Sequence, residues 1–200
     1  MAYILPKNAY FGRVNNPRTY QVISRDIILR KACPFTVDYP VFTGNDYKVM
    51  PFNKYVGVNC KRHASASVED VNVIGKEVVI GQNTRIVNSV IGDGCRIGNN
   101  CVIKNCIIWG QVEIKDGCEL ADNLILSGVS INENAKIESG AVIDRNCEVK
   151  SEVTVPQNTF VSQTSVQFDS KSNKLLYTPN EAKKSENSAS ESLFSQGFIC

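Results

Sequence analysis

From Ile74 onward one rule governs the chain: an aliphatic residue, a small or polar turn, then an uncharged residue four positions on. The aliphatic positions are 74, 80, 86, 91, 97, 103, 108, 114, 120, 125, 131, 137, 143, 149 and 155. Twelve of these fifteen are Ile, two Val and one Leu. Four positions later stand Val78, Thr84, Val90, Cys95, Cys101, Ile107, Val112, Cys118, Leu124, Val129, Ala135, Ala141, Cys147, Val153 and Thr159. The two series normally lie two residues apart across a repeat boundary, so strand alternation turns both to one side, the core. Where a repeat shortens to five residues, Val90, Ile107 and Leu124 come directly before the next aliphatic residue. The strand is expected to bend there and keep both inside.

The third position after each aliphatic residue is Gly or Asn ten times in fifteen: Asn83, Gly94, Asn100, Gly117, Asn123, Gly128, Asn134, Gly140, Asn146 and Asn158. These residues tolerate positive φ, so each hexapeptide predicts a short strand and a tight corner. Gly75, Gly81, Gly92 and Gly98 are expected to add corner freedom. Spacings of 6, 6 and 5 recur three times and place Ile74, Ile91, Ile108 and Ile125 at 17-residue intervals; two 18-residue turns then lead to Ile143 and Val161. Val56-Gly57-Val58-Asn59-Cys60 and Val68 fit a degenerate first turn. The pattern predicts an all-β fold, a parallel β-helix of about six coils, roughly 29 Å tall at about 4.8 Å per coil. Strands of a sandwich would recur every 8–12 residues instead. Spacing leaves the hand of the coil open.

Three regions follow. Residues 1–55 read as a helix and an irregular connector, residues 56–161 as the β-helix, and residues 162–200 as a disordered linker. Asn15-Asn16-Pro17 predicts a helix start, with Tyr20, Ile23, Ile27 and Ile28 on one face and Cys33-Pro34 as the stop. Residues 162–200 hold nine Ser and few apolar residues before Leu193-Phe194, a linker composition. The abrupt end at Cys200 suggests a truncated product. Charge changes little in this picture. Residues 1–70 carry ten Lys/Arg against five Asp/Glu, but the whole chain has a net charge of only +2, which argues against nucleic acid or a membrane surface as a main partner. No apolar run nears the length of a membrane span, and the first residues lack the pattern of a signal peptide. Of the eight cysteines, Cys60, Cys95, Cys101, Cys118 and Cys147 share one interior register. That regularity predicts reduced packing residues in a reducing compartment, the cytoplasm.

At the coils a resemblance appears. Asn88-Ser89-Val90-Ile91-Gly92-Asp93-Gly94-Cys95-Arg96-Ile97-Gly98-Asn99-Asn100, followed by Ile107-Ile108-Trp109, resembles the β-helix of the epsilon subunit of eukaryotic translation initiation factor 2B. The segment Tyr20–Arg30 with Pro34 is similar to the stretch joining that family's nucleotidyltransferase-like domain to its β-helix. The gamma subunit and sugar-nucleotide pyrophosphorylases have the nearest patterns. The resemblance implies a left-handed coil and a place in the guanine-nucleotide exchange factor complex for translation initiation factor two. Exchange activity in that family belongs to a C-terminal helical domain not represented in these residues. The implied role is therefore assembly, chiefly with the gamma subunit and through the complex with initiation factor two, without a cofactor and without catalysis.

The competing reading is a trimeric hexapeptide-repeat acyltransferase with a His as general base. The single histidine, His63, lies in the degenerate first coil and reads better as a surface residue. One histidine also excludes a three-His metal site. Gly92-Asp93-Gly94 belongs to the corner register rather than to a phosphate loop. The rows Asn88, Asn105, Asp122 and Ser89, Cys106, Asn123 read as polar corners bonded from coil to coil. One pair stands out. The residue after each aliphatic position points away from the core and is usually Gly, Asn, Asp or Lys, yet Trp109 and Leu126 hold that place in successive coils. They are expected to stack on one outer edge as a partner-binding surface.

Overall fold

The computed structural model describes residues 9–32, 36–37, 47–169 and 174–179. The expected helix stop at Cys33-Pro34, most of the connector, and Leu193-Phe194 lie outside the described residues. The rest forms a three-faced parallel solenoid. Face I stacks Lys54–Gly57, Asn72–Ile74, Val90–Ile91, Ile107–Ile108, Leu124–Ile125, Val142–Ile143 and Phe160–Val161, with Tyr47–Met50 added antiparallel at its first edge. Face II stacks Lys61–Arg62, Val79–Ile80, Arg96–Ile97, Glu113–Ile114, Ser130–Ile131 and Glu148–Val149. Face III stacks Ser67–Glu69, Arg85–Val87, Val102–Lys104, Glu119–Ala121, Lys136–Ile137 and Thr154–Val155. The six strands of face II number the coils 1 to 6.

Register follows the 17- and 18-residue periods: Ile74 pairs with Ile91, Ile91 with Ile108, Ile108 with Ile125, Ile125 with Ile143, and Ile143 with Val161. Each of the fifteen aliphatic positions is at most 4% exposed, which fixes all of them in the core. The shortened repeats depart from expectation. No strand bends to bring Val90, Ile107 and Leu124 inward; alternation is kept, and Ser89, Cys106 and Asn123 occupy the interior, each at most 1% exposed. The missing residue is taken from the corner. Left-handed backbone moves one place earlier, to Asn88, Asn105 and Asp122 (φ 49, 52 and 53°), so Asn123 is not the corner residue. The other nine Gly and Asn positions have φ between 53 and 81°. The buried polar groups are paired along the stack: Ser89 N–H donates to Asn72 Oδ1 (2.8 Å), Cys106 N–H to Ser89 Oγ (3.1 Å), and Asn123 Nδ2 to the Glu138 carbonyl (2.6 Å). Coil-to-coil bonding thus removes the cost of burying them.

Displacing Val90, Ile107 and Leu124 outward creates an apolar column on face I: Tyr55, Val73, Val90, Ile107, Leu124, Val142 and Phe160 are consecutive partners. The helix Pro17–Ile28 lies along it. Ile28 packs with Tyr55 and Val73, while Pro17, Arg18 and Gln21 at the other end border a cleft of about 500 Å³ with Leu124 and Val142. Asn16 caps this helix by accepting the Thr19 N–H (2.8 Å), and Thr19 Oγ1 accepts the Asn16 N–H in return (3.2 Å). It stops at Ile28, short of Cys33, because the chain turns at Arg30 (φ 61°) while Leu29, Arg30 and Lys31 donate to the carbonyls of Arg25, Ile27 and Asp26. After the last coil, Thr164–Asp169 pairs antiparallel with Lys174–Pro179. The described residues of the linker expected from residue 162 therefore include an antiparallel strand pair, consistent with the alternation in Ser165-Val166-Gln167-Phe168-Asp169.

The thiols do more than fill space. Cys95, Cys101 and Cys118 Sγ each donate to a corner carbonyl of the next coil, those of Trp109, Lys115 and Asn132, all at 3.1 Å. Burial pushes the Cys95 thiol up to about 11 and the Cys106 thiol up to about 12, from an ordinary value near 9. A thiol held protonated by the fold contributes stability that is complete below the unfolded-state value. That contribution is lost as pH rises through the folded-state value. Melting temperature is therefore expected to fall between about pH 9 and 12, with a shallower fall in Cys106→Ala despite its lower neutral-pH stability. Parallel alkaline curves for the two proteins would refute the assignment.

Candidate partner-binding corner

At the end of each face I strand the chain leaves the core residue and turns toward face II. This column reads Gly57, Gly75, Gly92, Trp109, Leu126, Asp144 and Ser162, one residue after each inward aliphatic residue. In coils 2 and 3 it has no room for a side chain. A Cβ on Gly92 would lie 2.5 Å from Gly110 N and 2.6 Å from the Trp109 carbonyl carbon, and one on Gly75 would strike Asp93 and the Gly92 backbone. These two glycines, like Gly81 and Gly98, have no positive φ. They are required by close approach of the next coil, not by corner freedom.

The column widens at coil 4. Trp109 N–H donates to the Ile125 carbonyl and Leu126 N–H to the Ile143 carbonyl, both at 2.9 Å, so the two residues sit on successive rungs of one ladder. Each is half-buried. The structure thus makes Trp109 and Leu126 stacked neighbours on an outer edge. The Arg145 guanidinium carbon stands 5.7 Å from the Trp109 ring centroid, a cation–π contact of about 0.5–1 kcal/mol at an exposed site. Asp144 accepts the Arg145 N–H (2.8 Å) and the Ser162 hydroxyl (3.0 Å), which holds this turn under the ring. Arg145 escaped the sequence reading because it is two coils away. Its signal was present all the same: it follows Asp144, which continues the Trp109–Leu126 column.

The corner thus brings together an aromatic and an aliphatic side chain beside a cation. Elsewhere, His63 is exposed on the corner between faces II and III, its Nδ1 2.8 Å from Ser65 Oγ and 3.2 Å from Ser65 N. That arrangement closes the turn in which Ala66 N–H returns to the His63 carbonyl. Among the described residues no carboxylate orients the ring, and no group of three or more His, Cys, Asp or Glu could hold a metal ion. Asp93, the central residue of Gly92-Asp93-Gly94, accepts the Lys76 N–H of the preceding coil at 2.7 Å, as a corner residue should. No helix among the described residues is long and apolar enough to cross a membrane.

Comparison with known proteins agrees with this geometry. PerB from Caulobacter crescentus, solved with CoA and GDP-perosamine, shares the fold at 11% identity with a TM-score of 0.51; the match covers 54% of this chain and 53% of that one. A His-to-Asn variant of perosamine N-acetyltransferase from the same organism matches at 11% identity and a TM-score of 0.54, over 72% of this chain and 61% of that one. The chain thus spans between about half and two thirds of these proteins' length, and the likeness is one of fold. The model of the EIF2B subunit epsilon LbH domain matches residues 52–155, just over half of the chain. With its left-handed β-helix of hexapeptide repeats carrying Trp109 in the coil 4 corner, the chain belongs to the EIF2B subunit epsilon LbH domain family.

Proposed function

We propose that this chain is an assembly module of the guanine-nucleotide exchange factor complex that serves translation initiation factor two in the cytoplasm. It holds other subunits, chiefly the gamma subunit, and reaches initiation factor two through them. It works without a cofactor, without catalysis of its own, and without direct contact with nucleic acid or membrane. Family membership supports the complex. The Trp109–Leu126 step supports the mode of action, because large apolar side chains projecting from a polar solenoid edge are the groups that anchor protein interfaces.

Trp109→Ser tests this reading. Association with the gamma subunit should weaken by about 2 kcal/mol, roughly thirtyfold in Kd, measured by titration calorimetry or quantitative pull-down. The melting temperature should fall only slightly, since Trp109 is half-buried at an edge and its cation contact with Arg145 is weak. Unchanged association together with a large loss of stability would assign Trp109 to the internal packing of the solenoid.

A further inference from the structure

The described core thiols lie in three rows, one behind each corner of the prism. Cys60, Cys95 and Cys147 share the corner between faces I and II, where Val78, Val112 and Val129 separate them coil by coil. Cys106 stands between faces III and I, with Ser89 before it and Asn123 after it. The row between faces II and III reads Ala66, Thr84, Cys101, Cys118, Ala135 and Val153. Among the six free cysteines of the described residues, only Cys101 and Cys118 therefore follow one another in a row.

These two are direct neighbours. Val102 N–H donates to the Cys118 carbonyl (2.9 Å), and Val102 pairs in register with Glu119. One coil height separates them, about 4.8 Å between Cα atoms, inside the roughly 4.4–6.8 Å that a disulfide spans. Both side chains are fully buried. Each nevertheless comes directly after a surface corner, where Asn100 is exposed and Gly117 half-buried. Opening one corner uncovers either sulfur and takes less free energy than unfolding the stack. The sulfurs also act on each other. A Cys101 thiolate accepts a hydrogen bond from the Cys118 thiol, which lowers the Cys101 thiol to about 7 from an ordinary value near 9, against the opposing effect of burial. The same contact, together with burial, raises the Cys118 thiol. Cys95 and Cys106 have no such neighbour, and burial raises both. The nucleophilic thiolate is thus accessible near neutral pH at Cys101.

We propose that Cys101 and Cys118 are a reversible oxidation site, closed to a disulfide by peroxide and reopened by a thiol reductant. The Cys101 thiolate attacks one peroxide oxygen, the O–O bond breaks, and hydroxide leaves, giving a sulfenic acid at Cys101. The Cys118 thiolate then attacks that sulfur, the S–O bond breaks, and a second hydroxide leaves. The two thiol protons convert both hydroxides to water, and two electrons pass from the sulfurs to the peroxide. The bond closes a ring of one full turn, from Cys101 through Trp109 to Cys118. Oxidation thereby fastens coil 3 to coil 4 across the turn that carries Trp109. In a reducing compartment such a disulfide is transient, as redox-sensing ones are.

Hydrogen peroxide added to the folded full chain tests the proposal, with circular dichroism to verify folding and mass spectrometry of a tryptic digest made without reductant. Cleavage after Arg96, Lys104, Lys115 and Lys136 puts the two cysteines on separate peptides. The digest should contain these peptides cross-linked, lighter by two hydrogens than their sum, and dithiothreitol should separate them. In Cys118→Ser the cross-link should vanish, and dimedone should capture Cys101 as a sulfenic acid. That variant should fold, because a hydroxyl already occupies this row at Thr84, whose Oγ1 donates to the Gly98 carbonyl (2.7 Å). Cys95→Ser should leave the cross-link intact. A folded, peroxide-treated chain whose Cys101 and Cys118 remain free thiols overturns the proposal. So does either one joined to a different cysteine, or a Cys101–Cys118 bond that forms only in denaturant.

Discussion

Ile97→Asp is expected to unfold the solenoid, whereas Asp93→Ser, four residues earlier, should leave it folded. Ile97 is 3% exposed in the middle of the stack, in register with Ile80 above and Ile114 below. The substitution removes an aliphatic side chain from three coils of contact, a loss of about 2–5 kcal/mol, and puts an unpaired carboxylate in its place at several more. The sum is comparable to the whole stability of an ordinary domain. Asp93 is exposed, and its carboxylate accepts one backbone N–H, from Lys76. A serine can keep part of that bond, so the cost should be about 1 kcal/mol. Thermal melts followed by circular dichroism separate the two cases; similar melting temperatures would show that Ile97 is not a core residue.

The second large effect is expected from a single methyl group. Gly92→Ala sets a Cβ 2.5–2.6 Å from the Gly110 and Trp109 backbone, with no flexible side chain to move aside. Coils 3 and 4 must then separate locally, which breaks the bond from Gly92 N–H to the Ile108 carbonyl (2.7 Å) and disturbs both strand neighbours. A loss of about 3 kcal/mol or more follows. Gly94, two residues on, has the opposite character. Its φ is +68°, and the nearest atom to an added Cβ is Gln111 Cγ at 3.8 Å. Asn146 and Asn59 occupy the same corner position at φ 54 and 60°. Gly94→Asn should accordingly cost less than about 1 kcal/mol. Chemical denaturation of the two variants decides the matter, and a more damaging Gly94→Asn would reverse the roles given to the two glycines.

These two glycines also mark the limit of what the sequence could tell. Period and register were legible because burial in a solenoid repeats without interruption. Fifteen positions obey one rule, and each carries the same information about which side is inward. The fate of Val90, Ile107 and Leu124 was not legible. A five-residue repeat can be accommodated by bending the strand or by tightening the corner, and spacing is the same for both. Strand alternation prevailed because the displaced residues gained the helix Pro17–Ile28 as a cover, a contact between segments far apart in sequence. Ser89 and Asn123 could enter the core because their neighbours supply hydrogen-bond partners. The Trp109–Leu126 pair was visible as a break in an otherwise small and polar column. Arg145 needed three dimensions, since its distance from Trp109 is set by two coil heights rather than by any local motif.

The placement of that helix has a mechanical consequence. In a stacked array each layer touches only the layers above and below, so stability is a sum of nearest-neighbour terms and end layers can peel away singly. Here the helix runs past several layers: Ile28 packs beside Tyr55 at one end, and Pro17 and Arg18 border the cleft lined by Val142 at the other. It acts as a splint. Fraying of an end layer must also strip the helix from the middle of the column, which couples distant layers. A load applied at one end of the prism is thereby shared along its length.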